Sequence, residues 1–330
     1  MTSSAGTRLV LLGTAGGPLP SPLRAGVSQA IVVGGRVHLV DCGSGVTRQL
    51  RRARLLKDLH RVFITHLHSD HACDYFNLFL LGWPILQRNP PVHVYGPGPA
   101  TGLPALPADR PPGHDIPVIN PSNPTPGLID LTRSQIEAHA YDINIRMREA
   151  GRSDLTALVV PQEIALPASI EAGPGRVAPP MDPILLAEDD RVRVTAVLVQ
   201  HAPVFPSFAY RFDTGEGSIV ISGDTAPCAN LVTLARGVDI LVYAVCDDAA
   251  GAPDDDESWE ARQRERHLLD AHTPLSAVGK VAAEAGARKL VLTHFVPGDD
   301  ALPDEHWIRG AADGFDGEVI VGRDLLELRP

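Results

Sequence analysis

Six consecutive residues, His66-Leu67-His68-Ser69-Asp70-His71, place three imidazoles and a carboxylate in one short segment. Imidazole nitrogen and carboxylate oxygen suit Zn²⁺ and, after it, Fe or Mn. A lone histidine beside a strand is ordinarily structural, but three with an aspartate in six residues form a ligand set. The hexad directly follows the apolar run Val62-Phe63-Ile64-Thr65, so it occupies a turn between a buried strand and a helix. On a straight strand His66, His68 and Asp70 would share one face and His71 would point away. A turn lets all four converge.

The elements that must position this turn are legible around it. The runs Arg8–Leu12, Ala30–Val33, Val37–Val40, 61–65 and Val92–Tyr95 read as strands, with Gly34-Gly35 a hairpin turn. Helices are expected over about Val46–Leu56, with Arg48, Arg51, Arg52 and Arg54 on its wet side, and from about Asp70. Between Gly96 and Gly127 ten of 32 residues are proline, which forbids helix interiors and central strands and predicts an ordered surface excursion. A helical run over Leu128–Ala150 has no strand partner in sequence and reads as an inserted arm or lid. Strands return at Val192–Gln200, Phe208–Phe212, Ser218–Ser222 and Ile240–Val245. An acidic loop, Asp247–Glu257, precedes helices at Trp259–Leu269 and Leu275–Ala285. Strand Lys289–Thr293, helix Asp304–Ala311 and strand Glu318–Val321 end the chain. The pattern is of the α/β (α+β) class, two packed sheets with helices outside, in one domain over 1–330 with an insertion over 96–180.

The hexad resembles the H-x-H-x-D-H signature of the metallo-β-lactamase superfamily, and the resemblance runs through nearly the whole chain. It implies a four-layer αββα sandwich with further functional residues just beyond other strands. Asp41, after Val37–Val40, matches the early aspartate that supports the metal loop from behind. His201 matches the third histidine, Asp224 in Ser222-Gly223-Asp224-Thr225 the bridging carboxylate, and His294 in Thr293-His294-Phe295 the last ligand. By that likeness His66, His68 and His201 hold one metal, Asp70, His71 and His294 a second, and Asp224 both. Two such ions, ~3.5–4 Å apart, bind a bridging hydroxide and lower the pKa of water from 15.7 toward about 7.

A β-lactamase proper is not expected to carry the shared aspartate. The neighbourhood is most similar to the ribonuclease Z and arylsulfatase-like branch: His201-Ala202-Pro203, Ser222 through Cys228, and His272-Thr273-Pro274 carry that likeness. Two departures stand out. Where ribonuclease Z has His-Glu-Ala-Thr this chain reads Tyr243-Ala244-Val245-Cys246, and its Gly-Leu-Pro-Gly run is replaced by Ala72-Cys73-Asp74-Tyr75. The catalytic candidates are Asp70, within the ligand set; His272, matching a histidine that contacts the scissile group; and Tyr243. The last stands where the tetrad's histidine would be, as a proton-transfer hydroxyl or as a core tyrosine.

Charge bears on the substrate. Lys+Arg number 29 against 40 Asp+Glu, a net charge of −11. The segment Leu128–Arg176 carries five arginines against seven carboxylates and no lysine, the opposite of a tRNA grip. The expectation is therefore a zinc-dependent dinuclear hydrolase of a small-molecule ester: a phosphodiester, a sulfate ester, or an activated carboxylic ester, lactone or thioester. Nucleic acid is not expected as a partner. A tRNA 3′-processing endonuclease is the alternative, and a metal-binding, non-catalytic ligand-binding protein a third. Four scattered cysteines, Cys42, Cys73, Cys228 and Cys246, and the lack of a long apolar segment predict a reduced, cytoplasmic protein with no membrane partner. Cys73 and Cys228 read as small buried thiols, and Tyr75, Trp83, Phe205 and Phe208 as core or pocket wall. A homodimer is implied by the resemblance alone.

Overall fold

Side chains alternate across a strand, and the first strand shows the consequence: Leu9 and Leu11 join one apolar cluster, Val10 and Leu12 another, all four buried. A strand buried on both faces belongs to a sheet covered on both sides. The computed structural model describes residues 6–113, 115–249, 258–298 and 301–330. His114 and the acidic run Asp254–Glu257 lie outside the described residues.

In chain order the first half runs β1 (Arg8–Gly13), β2 (Ser28–Val33), β3 (Arg36–Val40), α1 (Val46–Arg52), β4 (Leu59–Phe63), α2 (Ser69–Ala72), α3 (Tyr75–Leu86), β5 (Val92–Gly96), α4 (Leu128–Ala138), α5 (Ala140–Glu149) and β6 (Val159–Glu163). The second runs β7 (Ile184–Glu188), β8 (Val192–Leu198), β9 (Phe208–Thr214), β10 (Gly217–Ile221), α6 (Ala229–Leu234), β11 (Ile240–Cys246), α7 (Trp259–Ala271), α8 (Leu275–Ala285), β12 (Lys289–Val296), α9 (Asp304–Ala311), β13 (Glu318–Val321) and β14 (Glu327–Leu328). One sheet has the order β14-β1-β2-β3-β4-β5-β6, the other β13-β12-β11-β10-β9-β8-β7. Each begins antiparallel and becomes parallel, from β3 onward in the first and from β10 onward in the second. Leu9, Leu11, Ile31, Val40 and Phe63 pack against the second sheet, while Val10, Leu12, Ala30 and Leu39 pack toward α1 and α3. This is the αββα sandwich.

Three strands escaped the sequence patterns. β6 (VVPQE) and β7 (ILLAE) end their sheets and are half-exposed, so neither shows a clean apolar alternation; Pro161 is tolerated at such an edge. β14 has two residues. The helical run after Gly127 is two helices, because His139 leaves helical geometry (φ −101°, ψ 10°) and its Nδ1–H donates to the Gln135 carbonyl at 2.9 Å. Within 96–180, then, the chain makes the Pro-rich excursion, two helices and the edge strand β6, with Leu128 and Ile143 buried in the α1–α3 cluster.

The sheets are stitched together at one edge. The Phe208 amide donates to the Thr65 carbonyl at 2.9 Å, and the Tyr210 hydroxyl to the Ile64 carbonyl at 2.6 Å. On the other side Phe295 donates to Thr14 and Gly16 to Phe295, both at 3.1 Å. These bonds join the ends of β4 and β1 to β9 and β12, so residues just past those strands face each other.

His38 on β3 is buried with both ring nitrogens unpartnered, and burial, then the charge of Arg61, pushes its pKa down to about 3. A folded-state pKa below the unfolded 6.5 means that the unfolded chain takes up the proton first, so stability is lost as pH falls below about 6.5. Each such proton steepens the loss by about 1.4 kcal/mol per pH unit. His38→Leu is expected to lose less stability than the parent between pH 7.5 and pH 5, read from urea midpoints at each pH.

Candidate metal centre

Asp41 and the donor residues follow β3, β4, β8 and β10 or sit near the end of β12, along the stitched edge. Asp41 follows β3 with φ 59°, a left-handed conformation that aspartate tolerates, and its side chain turns inward. Its Oδ1 accepts the Thr65 amide at 2.8 Å, and its Oδ2 accepts the Thr65 hydroxyl at 2.9 Å and His71 Nδ1–H at 2.8 Å. One carboxylate thus shapes the turn after β4 and fixes the tautomer of His71, leaving Nε2 as the free donor. The expected supporting role of Asp41 has this geometry.

His294 lies inside β12 rather than beyond it. Between the pairs Ala244–Thr293 and Cys246–Val296, β12 carries one residue more than β11, a bulge. His294 takes φ 49° there, which turns its ring into the cleft. Gly16 makes room: a Cβ on it would lie 2.6 Å from His294 Nδ1. Asp224 follows β10 through Gly223, whose φ of 59° and closeness to the Phe208 carbonyl exclude a side chain. His201, three residues past β8, donates Nδ1–H to the Ala271 carbonyl at 2.8 Å and so presents Nε2.

The seven donors named from the sequence come together in two groups, His66/His68/His201 and Asp70/His71/Asp224/His294, the donor atoms within each lying within 4.8 Å of one another. His294 Nε2 stands 3.3 Å from both Asp70 Oδ2 and Asp224 Oδ2, and His71 Nε2 3.3 Å from Asp224 Oδ2. His66 Nε2 approaches the same Asp224 oxygen at 4.0 Å, so Asp224 links the groups. His66 Nε2, His71 Nε2 and Asp224 Oδ1 are buried with no hydrogen-bond partner. A cation meets that donor set well.

The electrostatics follow from burial against charge. Burial alone would raise Asp224, but the charges of His294 and His71 hold it well below the usual carboxylate range. Burial would lower His71, yet Asp224 and Asp41 lift it well above ordinary histidine. His66 is pushed well down by burial and by its neighbours His71 and His201, and His201 falls to about 3, chiefly by burial. His66 and His201 are therefore neutral, the form that binds metal.

His272 ends α7 and enters the same cleft, with Nδ1 3.9 Å from Asp224 Oδ2 and its pKa lowered by burial to about 4. Tyr243 does not reach the donors' hydrogen bonds: it is fully buried in β11, and its hydroxyl contacts Thr273 Oγ1 at 3.0 Å. Tyr75, Trp83 and Phe208 are core, whereas Phe205 lines a neighbouring Pro-rich cleft with Leu103 and Pro206. Cys73 is exposed, against the expectation of a buried thiol.

Sequence reading missed His267. It sits on α7 with its ring 5.5 Å from His272, 5.7 Å from His201 and 5.9 Å from His68. The spacing to His272, just over one helical turn, was the available signal. Arg24 and Arg48 were also not connected with the centre, yet both line a cleft of about 500 Å³ that ends on Asp70.

The family described as Metallo-beta-lactamase superfamily matches residues 23–293. A protein named Ribonuclease Z from Mycobacterium avium (strain 104) is 33% identical over 323 residues, covering 96% of this chain and 96% of the relative. Another of that name from Mycobacterium tuberculosis (strain ATCC 25618 / H37Rv) is 31% identical over 330 residues, 98% of each. Among solved structures, human tRNase Z, short form, is similar in fold at TM-score 0.62 and 22% identity, covering 97% of this chain and 98% of that one.

These likenesses overturn the expected small-molecule ester substrate, and with it the expectation that nucleic acid is not a partner: full-length relatives carry the name of a ribonuclease. The physical error lay in summing charge over the chain and over 128–176. A phosphate responds to the groups within a Debye length of about 10 Å, and arginines paired within the segment, such as Arg146 with Asp142 at 2.9 Å, say little about the cleft. No helix among the described residues is long and apolar enough to cross a membrane. Asp41→Asn is expected to weaken metal affinity about 10- to 100-fold without unfolding the chain, measured by chelator competition and far-ultraviolet circular dichroism.

Proposed function

We propose that this chain, which belongs to the metallo-beta-lactamase superfamily, is a metal-dependent endonuclease that processes tRNA 3′ ends. The observation that carries the reading is end-to-end likeness to proteins named Ribonuclease Z in a chain whose donor residues share one cleft. The proposed cofactors are two zinc ions, with iron or manganese as competing occupants. His66, His68 and His201 would hold one, Asp70, His71 and His294 the other, and Asp224 both. Bound there, such ions polarise phosphoryl oxygens and supply a nucleophile at neutral pH. The same proposal carries a homodimer in the cytoplasm.

The chain's own residues do the positioning. Asp41 and the Ala271 carbonyl each hold one ring nitrogen of a donor histidine and so aim the other. His272, buried and neutral, reaches the cleft beside Asp224 and can hold a proton at the scissile group. Tyr243 supports it from behind. The Thr273 hydroxyl donates to the Thr225 carbonyl at 2.7 Å, so the Tyr243 hydroxyl must donate to Thr273. Its proton is committed to fixing the His272-Thr273 turn beside Asp224-Thr225, which favours positioning over proton transfer.

RNA backbone needs cations, and exposed Arg48, Arg51, Arg52 and Arg54 lie on and just after α1, where Arg48 meets the Asp70 cleft. These residues give a basic approach that the net charge conceals.

The zinc-loaded protein is expected to cleave a precursor tRNA bearing a 3′ trailer, and chelation or Asp224→Ala to abolish cleavage. A precursor left intact by the zinc-loaded parent, or still cut after chelation or by Asp224→Ala, would refute the assignment. His272→Ala should lower turnover about 10²- to 10⁴-fold with metal content unchanged, measured by single-turnover kinetics and elemental analysis. Replacing Arg48, Arg51 and Arg52 together by alanine should reduce the slope of log(kcat/KM) against log[salt] by roughly two.

A further inference from the structure

Helix α7 supplies two groups to the metal cleft that the donor set does not include. A cleft of about 570 Å³ is lined by Asp70, Asp224, His272 and His294, and also by Arg264 and His267. Arg264 and His267 are three apart on the helix and therefore share a face. Among the described lining residues Arg264 is the one lysine or arginine, in a chain of net charge −11. His267 is half-buried, and one of its nitrogens lies within 4.8 Å of nitrogens of His201 and His272.

The helix is held so that this face borders the cleft, with Arg264 at its exposed mouth. At its start Ser258 Oγ accepts the Ala261 amide at 3.1 Å. Along its length Arg266 pairs with Asp109 of the Pro-rich excursion at 3.1 Å, and Gln263 leans on the same carboxylate. At its end the Ala271 carbonyl holds His201. The position of α7 is thereby coupled to a donor of the metal centre.

Arg264 brings a guanidinium to the cleft lining, and His267 and His272 bring ring nitrogens, in the same cleft as the carboxylates of Asp70 and Asp224. That combination suits a tetrahedral oxyanion, for which Asp70, Asp224 and the donor histidines would hold metal on one side and the α7 N–H groups would donate from the other. No carboxylate stands in Tyr243-Ala244-Val245-Cys246 to serve the cleft from β11, so α7 is the wall that provides polar groups there.

We infer that α7 is a phosphate-binding element, in which Arg264 and His267, with His272, grip the non-bridging oxygens of the substrate phosphodiester. The identity of that substrate rests on the endonuclease reading; the grip itself requires only a phosphate ester.

The test uses full-length, metal-loaded protein and inorganic phosphate as probe, titrated calorimetrically at constant ionic strength. Arg264→Ala and His267→Ala should each weaken phosphate about 10- to 100-fold with metal content retained. Arg264→Lys should recover part of the loss, since it restores charge without the planar fork. Arg262→Ala, on α7 but outside the cleft lining, should bind phosphate as the parent does. Parent-like affinity in the Arg264 and His267 variants overturns the inference, and so does loss of metal from His267→Ala, which would make His267 a ligand. Parallel assays with bis(p-nitrophenyl) phosphate and a precursor tRNA separate the two claims. Weakened phosphate binding in a protein that leaves the tRNA intact sinks the endonuclease reading and keeps the grip. Cleaved tRNA with unchanged phosphate affinity does the reverse.

Discussion

The Asp224 carboxylate, buried among the imidazoles of His66, His71, His272 and His294, is the interaction on which the rest of the structure depends. An isolated buried charge costs several kcal/mol, and a carboxylate survives there only where positive partners surround it. The positive partners are His71, from the turn after β4, and His294, from the bulge in β12, segments far apart in sequence. His66 and His272 stand beside the carboxylate as neutral imidazoles. Several local compromises exist to bring them in: the left-handed conformations of Asp41 and His294, the bare backbone of Gly16 and Gly223, and the extra residue in β12.

The two sheets explain why so many donors share one edge. Each is antiparallel on one side and parallel on the other, and the strands that carry donors, β4, β8, β10 and β12, all end at the same rim. Packing the sheets face to face brings the rims together, and the bonds from Phe208 to Thr65 and from Phe295 to Thr14 fix their separation. The helices finish the site. α1 brings Arg48 to one side, and α7 brings His267, Arg264 and His272 to another.

Charge illustrates the difference between a sum and a field. A net −11 describes how the protein repels other acidic molecules at a distance. It does not describe what a phosphate meets at the rim, where imidazoles and arginines are concentrated and several surface carboxylates are spent on local pairs. Reading the acidic balance of residues 128–176 as evidence against RNA treated that segment as the binding surface, and much of it packs on the α1–α3 core instead.

The sequence by itself showed most of the strands, through the period of their apolar runs, and the chemistry of the His66–His71 hexad. The sandwich and the full set of seven candidate donors came through the family resemblance, on residues beside those strands. It also marked Asp41 and His272. Edge strands β6, β7 and β14 stayed hidden, since a half-exposed or two-residue strand has no period to read. Only the tertiary structure decided that His267 stands beside His68 and His201, that Ala271 aims His201, that Tyr243 serves Thr273, and that Arg24 and Arg48 border Asp70. These relations span from 22 to nearly 200 residues of chain, and such distances are set by how helices dock on sheets, which no local pattern of residue types encodes.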